Sequence, residues 1–334
     1  MSYDTPAGIA QETHSADGAL RTAGRQLRVV PVTDAATWAG LVAQAPKPHL
    51  TQCFAYGEGK RAKGWTVKRV SFLDGDSVVA FCQILELRLF GLRLLSRINR
   101  GPVFLESDPP VPRMRDVYRT IRQIWGRVAG GPLLLAPALE ASPMHRDLLV
   151  GLGFRPRKAA GWNSMRIDLE PAGEAIHASF ASTFRNRLRA AERSGITLAI
   201  VNDGAAVDWM VARHADNMRN KRFRAADGTF IRELRAAAPD DYLVFQALLA
   251  GKPVAGMSVV RFGSVAEYHT GWFGPEGRQA NSGNFLMWSI VREMKRRGCL
   301  QFDVGGLYDS HRYTQFKRGM RGTEFSLAGE WIAL

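Results

Sequence analysis

The stretch AEYHTGWFGPEGRQANSGNFLMWSIVREMKRRGCLQFDVGGLYDSHRYTQFKRGMRGTEFSLAGEWIAL (residues 266–334) decides the fold that the sequence predicts. Its pattern predicts a strand at 265–272, a glycine- and asparagine-containing loop at 274–284, a helix at 285–297 and a short strand at 300–304. Apolar residues recur along one face of the helical segment, and Gly298 supplies its stop signal. A glycine turn at Gly305 and Gly306 follows, and YTQFKRGMRG (313–322) then places Lys317 between an aromatic residue and two glycines.

The loop before the predicted helix is a candidate anion site. The first turn of a helix has unpaired N–H donors and a positive dipole end. A strand, a loop and a helix in this order aim those donors at the occupant of the loop, which suits a phosphate group or an acyl oxygen.

Outward from this stretch, the rest of the chain follows one plan twice. The first half predicts strands at 27–32, 66–73, 77–89, 92–98, 132–137 and 163–169, with helices at 34–44, 111–128 and 143–151 and another capped by Thr51. The second half predicts helices at 176–193, 206–220 and 229–237, a strand at 196–201 and an antiparallel meander at 242–250, 254–262 and 265–272. The repeat predicts an α/β protein with two tandem domains, 26–170 and 174–334, mixed and mainly antiparallel sheets, and a cleft between the domains. The segment PAG at 171–173 is a linker signal, and residues 1–25 are expected to form a mobile tail.

The composition favours an anionic partner. The chain has 334 residues, with 45 Lys plus Arg against 31 Asp plus Glu and a net charge of +14. Solvated arginine-rich helix faces would also account for this excess. Three widely spaced cysteines, Cys53, Cys82 and Cys299, argue against a zinc site and a disulfide framework, and they fit a reducing compartment.

The sequence predicts neither a signal peptide nor a membrane span. The first 25 residues have no apolar core, and the apolar runs are too short to cross a bilayer. We therefore expect a cytoplasmic protein whose basic face is available for peripheral contact with an anionic membrane.

Four segments together carry a family resemblance: NRGPVF (99–104), FRNRLRAAERSGI (184–196), NFLMWSIVREMKRRGCLQFDVGG (284–306) and YTQFKRGM (313–320). They resemble the FemAB/FemX family, aminoacyl-tRNA-dependent peptidyltransferases built from two GNAT-like domains, and the resemblance covers residues 27–334. Where some members insert a long coiled-coil arm, this chain has only residues 180–194. The resemblance implies two tandem GNAT-like domains and transfer of an amino acid from aminoacyl-tRNA to an anionic amine-bearing acceptor, such as a peptidoglycan precursor. It implies no metal and no cofactor beyond the donor substrate.

The resemblance also implies site residues. Lys317 matches the family's lysine after phenylalanine, and we expect it to stabilise the oxyanion of a tetrahedral intermediate; the alternative is a solvated lysine beside Arg318. Lys60 and Arg222 are expected to bind the acceptor's diphosphate, which an arginine fork suits. Lys63, Lys221 and Arg224 compete for these two roles, and a solvated helix face is the alternative for both.

Three further residues are candidates on the residue pattern. Asp303 ends a strand before two glycines, so it either orients the amine and accepts its proton or caps the N–H groups of the glycine turn. Glu267 and His269 alternate with Tyr268 on one strand, so both face the same side and are expected to line the cleft. A packed strand histidine is the alternative for His269.

The helical segment 184–193 is a candidate for binding tRNA. Arg185, Arg189 and Arg193 are spaced by four residues and therefore share a face. Phosphate contacts from such a stripe would hold a tRNA acceptor arm largely independently of its base sequence. An amphipathic helix with its arginines in water is the alternative.

Two other functions remain open at this stage. GRQANSG (277–283) resembles a degraded form of the acyl-CoA pyrophosphate loop of GNAT enzymes, although only Gly283 follows Gln279. An acyl-CoA-dependent N-acyltransferase is therefore the first alternative. A non-catalytic module that binds RNA or polysaccharide is the second.

Overall fold

The computed structural model of the protein describes residues 27–126, 131–158, 161–221, 225–307 and 312–334, and the predicted tail at 1–25 lies outside them. The helices are α1 (Ala35–Gln44), α2 (Phe54–Arg61), α3 (Val111–Trp125), α4 (Pro143–Gly151), α5 (Gly173–Ser179), α6 (Ser182–Arg193), α7 (Gly204–Lys221), α8 (Gly228–Ala237), α9 (Pro275–Gln279), α10 (Ser282–Arg296) and α11 (Arg312–Arg318). The strands are β1 (Arg28–Pro31), β2 (Thr66–Asp74), β3 (Ser77–Leu89), β4 (Leu92–Asn99), β5 (Val103–Phe104), β6 (Leu133–Ala136), β7 (Arg155–Lys158), β8 (Asn163–Asp168), β9 (Thr197–Val201), β10 (Tyr242–Leu249), β11 (Lys252–Phe262), β12 (Val265–Phe273), β13 (Gln301–Asp303), β14 (Thr323–Ser326) and β15 (Glu330–Ala333).

These strands form two mixed sheets. Sheet 1 has the order β1-β2-β3-β4-β6-β15-β7, with β5 paired to β3, and sheet 2 has the order β14-β8-β13-β12-β11-β10-β9. The pairs β4–β6 and β12–β13 are parallel, and the other pairs are antiparallel. The two predicted meanders are confirmed as β2–β3–β4 and β10–β11–β12. The structure thus confirms the predicted α/β class with two mixed, mainly antiparallel sheets.

Two strands cross between the halves of the chain. β8 was predicted to complete the first half, but it pairs with β13 and β14 in sheet 2. β15, at the end of the sequence, pairs with β6 and β7 in sheet 1. An alternating pattern indicates which face of a strand is buried, but it does not indicate which sheet the strand joins. The exchange of these two strands therefore could not be predicted from the local sequence. Division of the chain into two domains at 171–173 stays a prediction. Each sheet contains one strand from the other side of this division, β8 in sheet 2 and β15 in sheet 1.

Two local predictions in the second half are wrong. The helix predicted at 176–193 is two helices, because Phe180 and Ala181 are extended and the Ala181 N–H donates to the Gly319 carbonyl at 2.8 Å. Burial of Phe180 beside Phe184 and Trp288 holds this break. The loop predicted at 274–284 contains the short helix α9, and α10 begins at Ser282, three residues earlier than predicted.

The two sheets are joined by a shared apolar core. Trp38 of α1 packs against Phe81 of β3 with ring centroids 5.1 Å apart, and Tyr56 of α2 packs against Phe230 of α8 at 5.2 Å. Gly59 permits this approach, because a Cβ there would lie 2.8 Å from the Phe230 ring. Helices α1 and α2 therefore fix one domain against the other.

We expect Trp331→Ala to lower the free energy of unfolding by about 3–5 kcal/mol, the usual cost of truncating a buried tryptophan. Trp331 is 3% exposed and lies in β15, which completes the core of sheet 1 from the far end of the sequence. Urea denaturation measures the loss. The control Leu334→Ala removes a 59% exposed side chain and should change stability by less than about 0.5 kcal/mol. Equal effects of the two variants would contradict a supporting role for β15.

Candidate active site

The candidate site is a gap between two parallel strands of sheet 2. β12 and β13 are paired at Val265↔Gln301, Ala266↔Phe302 and Glu267↔Asp303. Beyond these pairs β12 continues to Phe273, whereas the segment after β13 turns away at Gly305. The φ of Gly305, +72°, is in the left-handed region. The ladder therefore opens after Glu267 and Asp303.

Lys317 of α11 fills this gap. Its side chain is buried, with 2% exposure. The Nζ atom donates to the Gly306 carbonyl at 2.9 Å and lies 5.0 Å and 4.7 Å from the ring centroids of Tyr268 and Tyr313. The alternative reading of a solvated surface lysine is therefore wrong.

The surroundings of Lys317 weaken its hold on a proton. Burial lowers the pKa of Lys317 to about 7, because removing an ammonium from water disfavours the charged form, and the charges of Asp303 and Glu267 offset this only in part. The backbone turn adds to the confinement. A Cβ at Gly305 would lie 3.0 Å from the Tyr268 ring and 3.6 Å from Nζ, so a side chain there would crowd the lysine.

Asp303 is engaged in holding the turn. Its Oδ1 accepts hydrogen bonds from the Gly305 N–H at 2.8 Å and from the Ser164 hydroxyl. These contacts match the capping alternative. Its 2% exposure and its charge interaction with Lys317 place it beside the candidate site. A role in orienting the amine or accepting its proton stays a prediction.

Glu267 is occupied by a buried ion pair that the sequence did not reveal. Its carboxylate accepts hydrogen bonds of 3.0–3.2 Å from Arg100, and the Arg100 guanidinium lies 4.6 Å from the Trp162 ring centroid. Burial raises the pKa of Glu267, and the Arg100 charge acts in the opposite direction. Glu267 thus shares the interdomain face of β12 with His269, as predicted, but its carboxylate already has a partner within the protein.

His269 and Lys60 both lie near Phe230, where the domains meet. The His269 ring centroid is 6.1 Å from that of Phe230, and burial lowers the pKa of His269 to about 4, so the imidazole is neutral at pH 7. The Lys60 Nζ lies 5.1 Å from the Phe230 ring centroid and 5.3 Å from that of Tyr56. Burial also lowers the pKa of Lys60.

The competitor Lys63 is paired with Asp227 at 2.6 Å, whereas no carboxylate forms an ion pair with Lys60 in the described part of the chain. This contrast favours Lys60 as the lysine available to an anion. Arg222 and the competitor Arg224 lie outside the described residues, so the predicted partner of Lys60 has no structural account.

The start of α10 faces an aromatic cluster. Gly283 lies in its first turn, and a Cβ there would be 3.2 Å from the Phe316 ring. Phe316 stacks on Phe184 and on Tyr313, with centroids 5.7 Å and 5.6 Å apart. The preceding loop is closed, because the Gly274 N–H donates to the Val254 carbonyl and a Cβ at Gly277 would lie 2.4 Å from that oxygen.

The predicted arginine stripe is only partly free. Arg189 and Arg193 are exposed on α6, whereas Arg185 folds back to donate to the Ala178 carbonyl at 2.7 Å. Phe184 and Leu188 are buried on the opposite face, so the amphipathic character of the helix is confirmed.

A separate cavity of about 270 Å³ lies between the domains, beside β8 and β14. Lys47, Glu140, Arg166 and Asp168 line it and give it mixed charge, and none of the predicted site residues within the described ranges lines it. Arg166 Nε and Gln301 Oε1 have no hydrogen-bond partner among the described residues.

The sequence prediction missed Arg100, Arg166, Ser164, Tyr268 and Tyr313 as neighbours of the site. NRGPVF was noticed, but nothing local pairs its arginine with a residue 167 positions later. The tyrosines had a weak signal, because each lies in a segment that the prediction already emphasised. Within the described ranges, no group of three or more His, Cys, Asp or Glu residues is arranged to hold a metal ion, and no helix is long and apolar enough to cross a bilayer.

Comparison with known proteins supports the architecture. Residues 178–318 match the family described as "Acetyltransferase (GNAT) domain". The crystal structure of FemX is similar with a TM-score of 0.77 at 14% identity, over 92% of this chain and 97% of that one. No curated protein matches the chain.

Two further solved structures are similar at lower TM-scores. The C-terminal domain of a putative lysylphosphatidylglycerol synthetase from Agrobacterium fabrum has a TM-score of 0.56 at 15% identity, covering 89% of this chain and 90% of that one. A tandem GNAT protein from the clavulanic acid biosynthesis pathway has a TM-score of 0.55 at 12% identity, covering 92% and 98%. The predicted FemAB/FemX-like fold of two tandem GNAT-like domains is thus confirmed, and the matched domain supports an acyltransferase.

We expect Lys317→Met to stabilise the protein near pH 7 by a few kcal/mol, because it removes a buried amine whose pKa is about 7 in the folded state and about 10.4 when unfolded. Between these values the unfolded state binds more protons, so the stability of the parent protein rises with pH. The gain from the substitution should therefore be largest below about pH 7 and fade toward about pH 10.

Urea denaturation at several pH values measures this gain, with the exposed Lys252→Met as the matched control. A loss of stability at pH 7 in Lys317→Met would mean that the hydrogen bond to Gly306 outweighs the cost of burial.

Proposed function

We propose that the protein is an aminoacyltransferase that moves an amino acid from aminoacyl-tRNA to an amine, with a peptidoglycan precursor or another anionic peptide as acceptor. The observation that carries the proposal is Lys317, a buried lysine with a pKa near 7 in the opening between β12 and β13. The FemAB/FemX resemblance assigns this lysine to catalysis. We infer a cytoplasmic site of action from the same resemblance.

The two faces of sheet 2 suit the two substrates. On the α10 side, the first helical turn offers N–H donors, and the partly exposed rings of Tyr313 and Phe316 offer flat surfaces for an acylated nucleotide end. On the other side, Lys60 and His269 face the junction of the domains, and Lys60 is available for a phosphate. The gap at Lys317 lies between these two faces.

The reaction needs charge stabilisation more than it needs a strong base. The acceptor amine attacks the ester carbonyl, the tetrahedral intermediate carries an oxyanion, and the C–O bond to the ribose then breaks while the amine proton passes to the departing oxygen. A protonated Lys317 would donate to the oxyanion, and the oxyanion would in turn favour the protonated lysine. Asp303 would keep the turn, and therefore Lys317, in position.

An acyl-CoA-dependent N-acyltransferase is the second candidate, favoured by the match of residues 178–318 to an acetyltransferase domain. The packing of Gly274 and Gly277 weighs against it, because the Gly274 N–H is bound to the Val254 carbonyl and Gly277 lies against the same oxygen, which leaves less of this backbone open to a pyrophosphate. A non-catalytic RNA- or polysaccharide-binding module is the third candidate. A transfer assay that offers charged tRNA and acyl-CoA in parallel to several amines separates the three.

We expect Lys317→Ala to lower turnover by roughly two to three orders of magnitude while the affinity for the donor changes little. The reason is that the lysine matters most once the oxyanion has formed. Single-turnover kinetics with charged tRNA measure the loss, and Lys252→Ala is the matched control. Lys317→Arg should not restore turnover, because its planar fork reaches farther than an ammonium. A decrease of less than about threefold would correspond to less than 1 kcal/mol and would remove Lys317 from the mechanism.

We expect tRNA binding to weaken steeply with salt, by about 0.7–0.9 log units per log unit of salt for each phosphate neutralised. Replacing Arg185, Arg189 and Arg193 by glutamine should flatten this slope, with most of the effect from the exposed Arg189 and Arg193. Filter binding across a salt series measures it. The control replaces Arg28, Arg115 and Arg146, exposed arginines elsewhere, and should keep the slope. A flat salt dependence in the parent protein, or tight saturable binding of CoA, would favour the acyl-CoA reading.

A further inference from the structure

The β3–β4 hairpin, residues 86–95, extends beyond the rest of sheet 1. The last pair between β2 and β3 is Thr66↔Glu86, and the first pair between β4 and β6 is Ser96↔Leu133. The four residues from Glu86 to the tip at Phe90 therefore project about 13 Å as a two-stranded ribbon. Phe90 and Gly91 form a tight turn with φ of 48° and 79°.

The 86–95 hairpin exposes an unusual set of apolar side chains. Phe90 is 95% exposed and Leu92 is 70% exposed. Leu87, Leu89 and Leu94 follow with exposures of 40%, 54% and 45%. Ile124 of α3 extends the patch, since it is 40% exposed and its carbonyl accepts hydrogen bonds from Arg93. Contiguous exposed apolar residues of this kind mark an interaction surface rather than ordinary surface variation.

The two faces of the 86–95 hairpin differ in chemistry. Leu89 pairs with Leu92 on one face, whereas Arg88 pairs with Arg93 on the other. Arg88 donates to Glu86 at 2.9 Å and to the Gly91 carbonyl at 3.0 Å, so its guanidinium is held close to the turn. Arg88 and Arg93 both pair with the carboxylate of Glu86, which places two guanidinium groups at the base of the apolar tip.

We propose that the 86–95 hairpin anchors the protein to an anionic lipid bilayer. Phe90 and the leucines enter the boundary between headgroups and acyl chains, and Arg88 and Arg93 remain at the level of the phosphates. An interfacial element needs to reach only about 5–10 Å into this boundary, which the projecting ribbon can do. A stable protein interface needs about 800 Å² per partner, for which a ribbon two strands wide is a poor platform. The net charge of +14 favours an anionic surface.

This anchoring is independent of the transfer reaction. The hairpin belongs to sheet 1, and none of its residues contacts Lys317 or the gap in sheet 2. A failure of either proposal would leave the other in place.

Sedimentation with vesicles tests the anchor. The parent protein should bind vesicles of phosphatidylcholine with phosphatidylglycerol and bind vesicles of phosphatidylcholine alone more weakly. The double variant Phe90→Ser, Leu92→Ser should lower the partition coefficient about 100-fold, or about tenfold for each large apolar side chain. The control Met144→Ser, Val150→Ser removes apolar residues that are 49% and 50% exposed on α4, and it should bind as the parent does. Thermal unfolding confirms that each variant is folded.

A fluorescent label tests insertion directly. The native cysteines are buried, and burial raises the pKa of Cys53 to about 12 and that of Cys299 to about 11, so a cysteine placed at the tip reacts selectively. An environment-sensitive dye on Phe90→Cys should shift to the blue with anionic vesicles, and the same dye on Val150→Cys should not. Absence of vesicle binding by the parent, or equal binding by parent and double variant, would overturn the proposal. Self-association that the double variant abolishes, without vesicle binding, would overturn it in favour of a protein contact.

Discussion

The buried ion pair between Arg100 and Glu267 is the contact on which the position of the candidate site depends. It joins the end of β4 in sheet 1 to β12 in sheet 2, and both partners are less than 10% exposed. Removing two such charges from water costs several kcal/mol for each ion, so the pair persists only because its geometry is close and Trp162 covers the guanidinium. Glu267 is in turn paired in register with Asp303, where the ladder opens. The orientation of the domains and the opening in sheet 2 are therefore coupled through one residue.

Much of the fold follows from local pattern. The meanders and most helices were predicted, because alternation, helical spacing and turn residues each act over a few positions. The predicted cap at Thr51 is wrong, because Cys53 caps α2 by accepting from the Tyr56 N–H, and the Thr51 hydroxyl donates to the Asn99 carbonyl at 2.6 Å. The exchange of β8 and β15 between the sheets was not predictable in this way. The sequence indicates that Met165 and Trp331 are buried, but it does not indicate which of the two cores contains each residue. The break at Phe180 was missed for the same reason, because Gly319 holds it from a distance.

The candidate site was predictable only in part. The sequence singled out Lys317, Asp303 and Glu267, and the structure brings these three into one cluster. Their local roles differ, because hydrogen-bond partners come from remote segments: Ser164 reaches Asp303, and Arg100 reaches Glu267. The burial of Lys317 also could not be predicted, because YTQFKRGM has the pattern of a basic surface segment. The burial depends on Tyr268, which packs against Lys317 from β12.

Burial lowers the pKa of Lys317 to about 7, and the charges around the lysine suit the proposed reaction. Arg100 and Arg166 carry two positive charges beside the two negative charges of Glu267 and Asp303, so these four groups balance without the lysine. A protonated Lys317 adds a charge that no carboxylate of this cluster is left to match, and the two tyrosine rings offer only weak compensation. In the proposed reaction, the oxyanion supplies the missing negative charge at the moment the carbonyl is attacked. With Lys317 protonated, the cluster therefore carries one excess positive charge in the ground state. The oxyanion neutralises this charge in the transition state, and such preferential stabilisation of the transition state lowers the barrier.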